Sequence, residues 1–408
     1  MRDLKLALIS YHSCPLGKLG GKDSGGMNVY VRELATQLGK QGHSVDIFTR
    51  LHDANEPQIM TLGDNARLIH IKAGLSQNVS KYLLHSHLEE FTANIEDFRK
   101  RNELDYNLIF SHYWLSGKAG RILSGWWQVP DMMMFHTLGM VKNGLEMVED
   151  EPQLRLETER NLVHDCDRII ASTEREKTML STEFGVNPGK ITVIPCGVNF
   201  DLFQPINKAE ARRKIGVTGT GKIVLFVGRL EKLKAIDRLI EAVSLLNDYP
   251  ALSLFIVGGD DHSTAEMQRL QQRASSLGLQ KVVHFIKSLP QETLPDYYSA
   301  ADVLVLPSYY ESFGMVVLEA LACGTPVIAS QQGNLENIIR NGETGFVTAG
   351  NTPELLAEKL RVVLSGKEMA GPELIRESVW DYSWEKIAEQ VTRVCEKELQ
   401  THCQCVSP

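Results

Sequence analysis

The chain has 408 residues, too long for one ordinary compact core and enough for two domains of ordinary size. Hydrophobic residues make up 43% and charged residues 23%, the balance of a soluble globular protein. A formal net charge of −8 with a pI near 5.9 argues against a surface that coats nucleic acid, and no apolar run approaches the roughly 18 residues of a membrane-spanning helix.

The first apolar run, LALI (6–9), is too short for a secretory leader and reads as a strand. Strands are predicted in the first half at 5–10, 44–50, 66–71, 106–111, 131–136, 168–173 and 191–196, with amphipathic segments between them. In one such segment, 27–42, Met27, Tyr30, Leu34 and Leu38 share a face and Gly42 ends the run. The stretch 197–220 carries Pro205 and several glycines without a strand signal, so it reads as a linker with a short helix. The pattern restarts with strands at 222–228, 252–259, 281–286, 302–307, 325–330 and 345–348, and ends in an amphipathic helix over 382–399. Strand–helix alternation of this kind predicts an α/β protein of two doubly wound, Rossmann-like domains. The boundaries fall at 1–200, 201–381 and 382–408, with a cleft between the two domains.

Seven cysteines, an odd number scattered along the chain, are expected to be reduced thiols in a cytoplasmic protein. His402, Cys403 and Cys405 supply too few ligands for a metal. In GGDDH (258–262) adjacent aspartates at a helix start read as capping residues, so no metal is assigned.

The motifs that carry chemistry all follow strand ends, where open α/β sheets place their ligands. GGKDSGG (20–26) leads into a helix, and its glycines let backbone amides approach an anion. It matches neither G-x-G-x-x-G nor the P-loop, and an inert tight turn reads equally well. FVGRLEKLK (226–234) puts Arg229 and Lys234 where two cations can clamp a diphosphate, with a solvated basic turn as the alternative. ESFGMVVLE (311–319) joins Glu311, a small-residue turn and a helix start bearing Glu319, a set suited to sugar hydroxyls and phosphates. The plain alternative is a helix-start charge and a solvated face. SHYWLSG (111–117) and FHTLGMVKNG (135–144) end two strands of the first half. His136 there is equally a hydrogen-bonded strand-end histidine.

Taken together, ESFGMVVLEALACGTPVIAS (311–330), VGRLEKLKAIDRLI (227–240), VIPCGVNFDLFQP (193–205) and GGKDSGGMNVYVRELATQLGKQGHSVDIFTR (20–50) resemble the retaining family 4 glycosyltransferases of GT-B fold over nearly the whole chain. That resemblance implies a central cleft between the domains and a C-terminal helix that crosses back onto the first. It implies a hexosyltransferase whose co-substrate is a nucleoside diphosphate sugar, UDP-linked, with no further cofactor. Donor contacts would come from Gly25, Gly26, Asn28, Arg229, Lys234, Ser312, Phe313, Gly314, Met315, Val316 and Glu319, the last holding the ribose. The catalytic set would be His136, Glu311, Arg229 and Lys234.

Within the family, GGMNVYV, SHYWLSG and HTLGMVKN are most similar to the enzymes that glycosylate inositol phosphate in mycothiol biosynthesis, with the sucrose-phosphate synthases as the nearest rival. Lys81, Tyr113, Thr137 and Arg155 fall where those enzymes grip a small phosphorylated acceptor. Ala235 stands where a glycine is usual, Cys196 where a proline is, and Gln331–Gln332 at an often glycine-containing position. A nucleotide-sugar epimerase or hydrolase shares the architecture and is the more distant alternative.

Overall fold

The computed structural model describes residues 3–17, 25–77, 79–145, 150–260, 263–366 and 369–406. These separate into two compact units. One holds 3–17, 26–195 and the final segment from Trp384; the other holds Gly25 and Cys196–Ser383.

Strands of the first unit are β1 (Lys5–Ile9), β2 (Ser44–Arg50), β3 (Ile59–Thr61), β4 (Ala66–Ile71), β5 (Leu108–His112), β6 (Asp131–Met134), β7 (Arg168–Ala171) and β8 (Ile191–Val193). They form one sheet in the order β3-β4-β2-β1-β5-β6-β7-β8. Every pairing but one is parallel, and β1, β5 and β6 are apolar or small-residue runs buried almost throughout, as a sheet covered on both faces requires. The exception is β3, which lies antiparallel to β4 at the edge. The sequence reading passes over it because it has three residues and two of them are exposed, so it lacks the burial that makes a strand visible. The order reverses at β1, whose neighbours are β2 on one side and β5 on the other. That reversal opens a crevice at the carboxyl ends of the strands.

The second unit has β9 (Ile223–Val227), β10 (Ser253–Val257), β11 (Val283–Ile286), β12 (Val303–Leu306), β13 (Val327–Ser330) and β14 (Gly345–Thr348), all parallel, in the order β11-β10-β9-β12-β13-β14. This is the doubly wound dinucleotide-fold order, and it reverses at β9. Just past β9 and β10 two backbones approach so closely that a Cβ on Gly258 would sit 1.8 Å from the Gly228 carbonyl oxygen. Only glycine fits there. Asn207 caps the helix Lys208–Lys214 by accepting from the Ala209 and Glu210 amides, which places the short helix expected after the linker. Asp260 of the GGDDH motif accepts from the Ser263 hydroxyl at 2.8 Å, while Asp261 and His262 lie outside the described residues.

The last helix, Trp384–Val406, belongs to the first unit. Its buried stripe of Trp384, Ile387, Ala388, Val391 and Cys395 follows helical spacing. Trp384 meets Tyr30 edge-on at 5.3 Å, Thr392 bonds His43 at 3.1 Å, and Glu398 receives the Arg168 guanidinium. Cys14, Cys166, Cys196, Cys323 and Cys395 are buried, and Cys403 is exposed. Among the described residues no helix is long and apolar enough to cross a membrane.

Candidate active site

In the first unit the candidate side chains gather at the carboxyl ends of β5 and β6, beside the reversal. Tyr113 directly follows β5 and starts the helix Trp114–Trp127 with φ of 77°. His136 follows β6 with φ of 60°, in a tight turn in which the Thr137 amide donates to the Phe135 carbonyl at 2.7 Å. Left-handed backbone at a tyrosine and a histidine is uncommon, and such strain persists where packing over-determines it, typically at functional sites.

Burial holds His136 down to about 3, so its imidazole is neutral. Its Nε2 lies 3.1 Å from Nδ1 of His112, and a single proton bridges the two rings. Burial, and then the neighbouring His136, also lower His112. Tyr30 packs against both rings at 5.6 and 5.3 Å. His12 stacks on Tyr113 at 4.2 Å and is kept neutral by burial first, then by the charges of Lys81 and Arg155.

Lys81, Tyr113, Thr137 and Arg155, drawn from four separate segments, are brought together. The fully buried Arg155 guanidinium lies over the Tyr113 ring at 4.8 Å and donates to the Thr137 carbonyl and hydroxyl oxygens at 2.9 and 3.2 Å. Lys81 Nζ is 5.8 Å from the centroid of the same ring. Two acids that the sequence reading missed complete the cluster. Glu159 accepts from Arg155 Nε at 2.7 Å and from the Gly139 amide at 2.8 Å. Glu151 takes Arg155 Nη1 at 2.7 Å, Lys142 at 3.1 Å and Lys81 at 4.0 Å, all on one oxygen, while Tyr82 donates to the other at 2.6 Å. Burial would raise Glu151, but Arg155, the Tyr82 hydrogen bond and the two lysines outweigh it and hold the carboxyl near 2. A glutamate four residues to either side of Arg155 was the available signal.

Asn28 is buried near the start of the helix Gly26–Lys40. It donates to the Cys14 carbonyl at 2.6 Å and accepts from the Ser13 hydroxyl at 2.9 Å, bracing the loop after β1. Of the glycine-rich motif, residues 20–24 lie outside the described residues.

The second unit gathers its set after β9 and β12, again beside the reversal. Lys234 ends a single 3-10 turn, Lys232–Lys234, and Ala235 follows with φ of 49°. Lys234 Nζ donates to Glu311 Oε2 at 2.6 Å. Arg229 pairs with Glu231 at 2.7 Å and lies, through Nε, 4.0 Å from where a Cβ on Gly25 would be. The helix Met315–Ala322 begins at Gly314 (φ 90°), and no side chain caps its first amides. Ser312, Met315 and Val316 are partly exposed around that end, while Phe313 is buried and meets the Tyr382 ring edge-on at 6.4 Å. A helix start of this kind suits an anion.

Glu319 lies deeper in the same helix, buried, with Gln291 donating to one carboxylate oxygen at 3.0 Å and Tyr298 to the other at 2.7 Å. Glu311 and Glu319 therefore have different partners, a lysine for one and two neutral donors for the other. Gln291 and Tyr298 also escape the sequence reading, since nothing in their spacing ties them to 319.

Residues 24–202 match the family described as Glycosyltransferase Family 4, and residues 207–371 match Glycosyl transferases group 1. The chain is 37% identical to a D-inositol 3-phosphate glycosyltransferase of Geodermatophilus obscurus, covering 95% of this chain and 88% of the relative. It is 36% identical to the Corynebacterium glutamicum protein of the same name, covering 95% and 96%. Among solved structures, a sucrose-phosphate synthase from Thermosynechococcus elongatus superposes with a TM-score of 0.89 at 33% identity, covering 98% of this chain and 100% of that one. Two Rossmann-like domains, the paired family matches and relatives of this identity over nearly the full length lead to one conclusion: the chain belongs to the family 4 glycosyltransferases and is a hexosyltransferase.

Proposed function

We propose that the protein is a retaining enzyme that moves a glucosyl or N-acetylglucosaminyl group from a UDP-linked sugar to an inositol phosphate. The observation that carries this reading is the convergence of Lys81, Tyr113, Thr137 and Arg155 on one point of the first unit. Two lysines and an arginine around one small volume are what recognition of a phosphate monoester requires. The name borne by the 36–37% identical relatives, D-inositol 3-phosphate glycosyltransferase, supports inositol 3-phosphate as the acceptor.

On the donor side, Arg229, Lys234, Gly25 and the uncapped amides at 314–316 hold the diphosphate, and Glu319 takes the ribose hydroxyls. Glu311 takes the donor sugar. The bond from the anomeric carbon to the diphosphate oxygen breaks, and the acceptor oxygen bonds to the same face of that carbon. The acceptor's hydroxyl proton passes to the departing diphosphate. The protein lowers the barrier by alignment and by fixed positive charge where the departing diphosphate builds negative charge.

A second reading, transfer of glucose to fructose 6-phosphate, is favoured by the 33% identity and high structural likeness to sucrose-phosphate synthase. The test is release of nucleoside diphosphate from UDP-, ADP- and GDP-sugars with inositol phosphate or fructose 6-phosphate as acceptor. Turnover with a UDP-sugar and inositol phosphate alone supports the first reading. Turnover with fructose 6-phosphate alone supports the second, and donor consumption without either acceptor overturns both.

A further inference from the structure

The cluster around Glu151 is an anion site filled by the chain's own carboxylate. Three cations, Lys81, Lys142 and Arg155, meet one oxygen of a side chain that is 5% exposed, and the Tyr82 hydroxyl donates to the other oxygen. The Glu151 backbone is clasped as well. Its amide donates to Asn143 Oδ1 at 2.6 Å, and its carbonyl accepts from Asn143 Nδ2 at 3.3 Å. Arg155 has a counter-ion in Glu159, bonded on the Nε side, while its Nη1 lies 2.7 Å from a Glu151 oxygen. With Glu151 turned aside, the three cations less Glu159 leave an excess of two positive charges. That is the charge an ionised phosphate monoester brings at neutral pH. Without some anion, three cations this close in a poorly solvated pocket would repel one another strongly.

We infer that Glu151 is a stand-in for the acceptor phosphate: acceptor binding displaces its carboxylate, and Lys142 and Tyr82 then join Lys81, Tyr113, Thr137 and Arg155 as phosphate ligands. The inference rests on the phosphate-acceptor reading above. Its consequence is selectivity. An acceptor without a phosphate cannot replace the carboxylate charge for charge, so it meets a pocket already closed by an ion pair.

The test is calorimetric titration of the full-length protein with inorganic phosphate, for the unaltered chain and for Glu151→Gln, Glu151→Asp, Lys142→Met and Lys81→Met. Removing the competing carboxylate in Glu151→Gln should tighten phosphate at least about fivefold, since a like charge opposed it. Glu151→Asp, which withdraws the carboxylate by one methylene and keeps the ion-pair charge, should also tighten it and covers the case in which the glutamine variant does not fold. Lys142→Met should weaken it. Equal or weaker phosphate binding in a folded Glu151 variant overturns the inference and makes Glu151 a fixed brace for the cations. If no form binds phosphate and Lys81→Met leaves the acceptor KM unchanged, the phosphate-acceptor reading itself fails, and the inference falls with it.

Discussion

Lys234 Nζ lies 2.6 Å from Glu311 Oε2, and both side chains are only 13% exposed. A cation proposed for a diphosphate and an acid proposed for a sugar are thus each other's partners. Lys234→Ala is expected to lower kcat by about two to three orders of magnitude, the loss typical when a preorganised charge at a developing anion is removed. Circular dichroism should report an intact fold. Near-normal turnover would remove Lys234 from the catalytic set.

The acceptor side gives a binding effect. Lys81 is partly exposed, so Lys81→Met should leave the melting temperature nearly unchanged. Loss of one charge-assisted bond, about 1.5–3 kcal/mol, should raise the acceptor KM by roughly ten- to a hundredfold with a smaller change in kcat. Steady-state kinetics with acceptor varied at saturating donor checks this. A change confined to the donor KM would count against the assignment.

The buried histidines make the protein acid-sensitive. His112 and His136 are held well below their ordinary value by burial, so between the folded values and about 6.5 the unfolded chain binds protons that the folded chain does not. Stability is therefore complete above pH 6.5 and falls as the pH drops, by up to about 1.4 kcal/mol per pH unit for each such histidine. His112→Gln should flatten the slope of unfolding free energy between pH 7 and 5 in urea titrations. It should also lower kcat more than KM if His112 orients His136. An unchanged slope would mean that the His112 ring does not titrate differently in the two states.

Ala235 occupies a left-handed position, φ 49°, one residue past Lys234, and is fully buried. Left-handed backbone costs about 1–2 kcal/mol for a residue with a Cβ and more for a β-branched one. Ala235→Gly trades that strain for unfolded-state freedom and a lost methyl, and should shift stability by less than about 1 kcal/mol. Ala235→Val should destabilise far more and weaken donor binding, because the turn it distorts presents Lys234. Thermal unfolding of the two variants side by side decides the point.

Much of the fold was legible because parallel strands buried on both faces are short β-branched runs that few other structures demand. The edge strand β3 was not, since edge position relieves it of that composition. Site residues divided along similar lines. Arg229, Lys234 and Glu311 follow strand ends directly, so local order exposes them. Lys81, Tyr113, Thr137 and Arg155 come from four distant segments, and only likeness to a family marked them before the structure brought them together. Glu151 lay in an acidic stretch that reads as solvated surface, and its role appears only when Lys81, Lys142 and Tyr82 are seen around it.

The chain leaves the first unit after Pro195 and returns at Trp384, with Val198 and Ser383 bridged side by side where it departs and comes back. In genetic terms, the message is therefore read in a different order from the architecture. A stop codon just past Ser383 would leave every strand of the second unit encoded, yet would strip from the first unit the helix that covers Tyr30, His43 and Arg168. A lesion past Ser383 would act on the unit that holds residues 26–195.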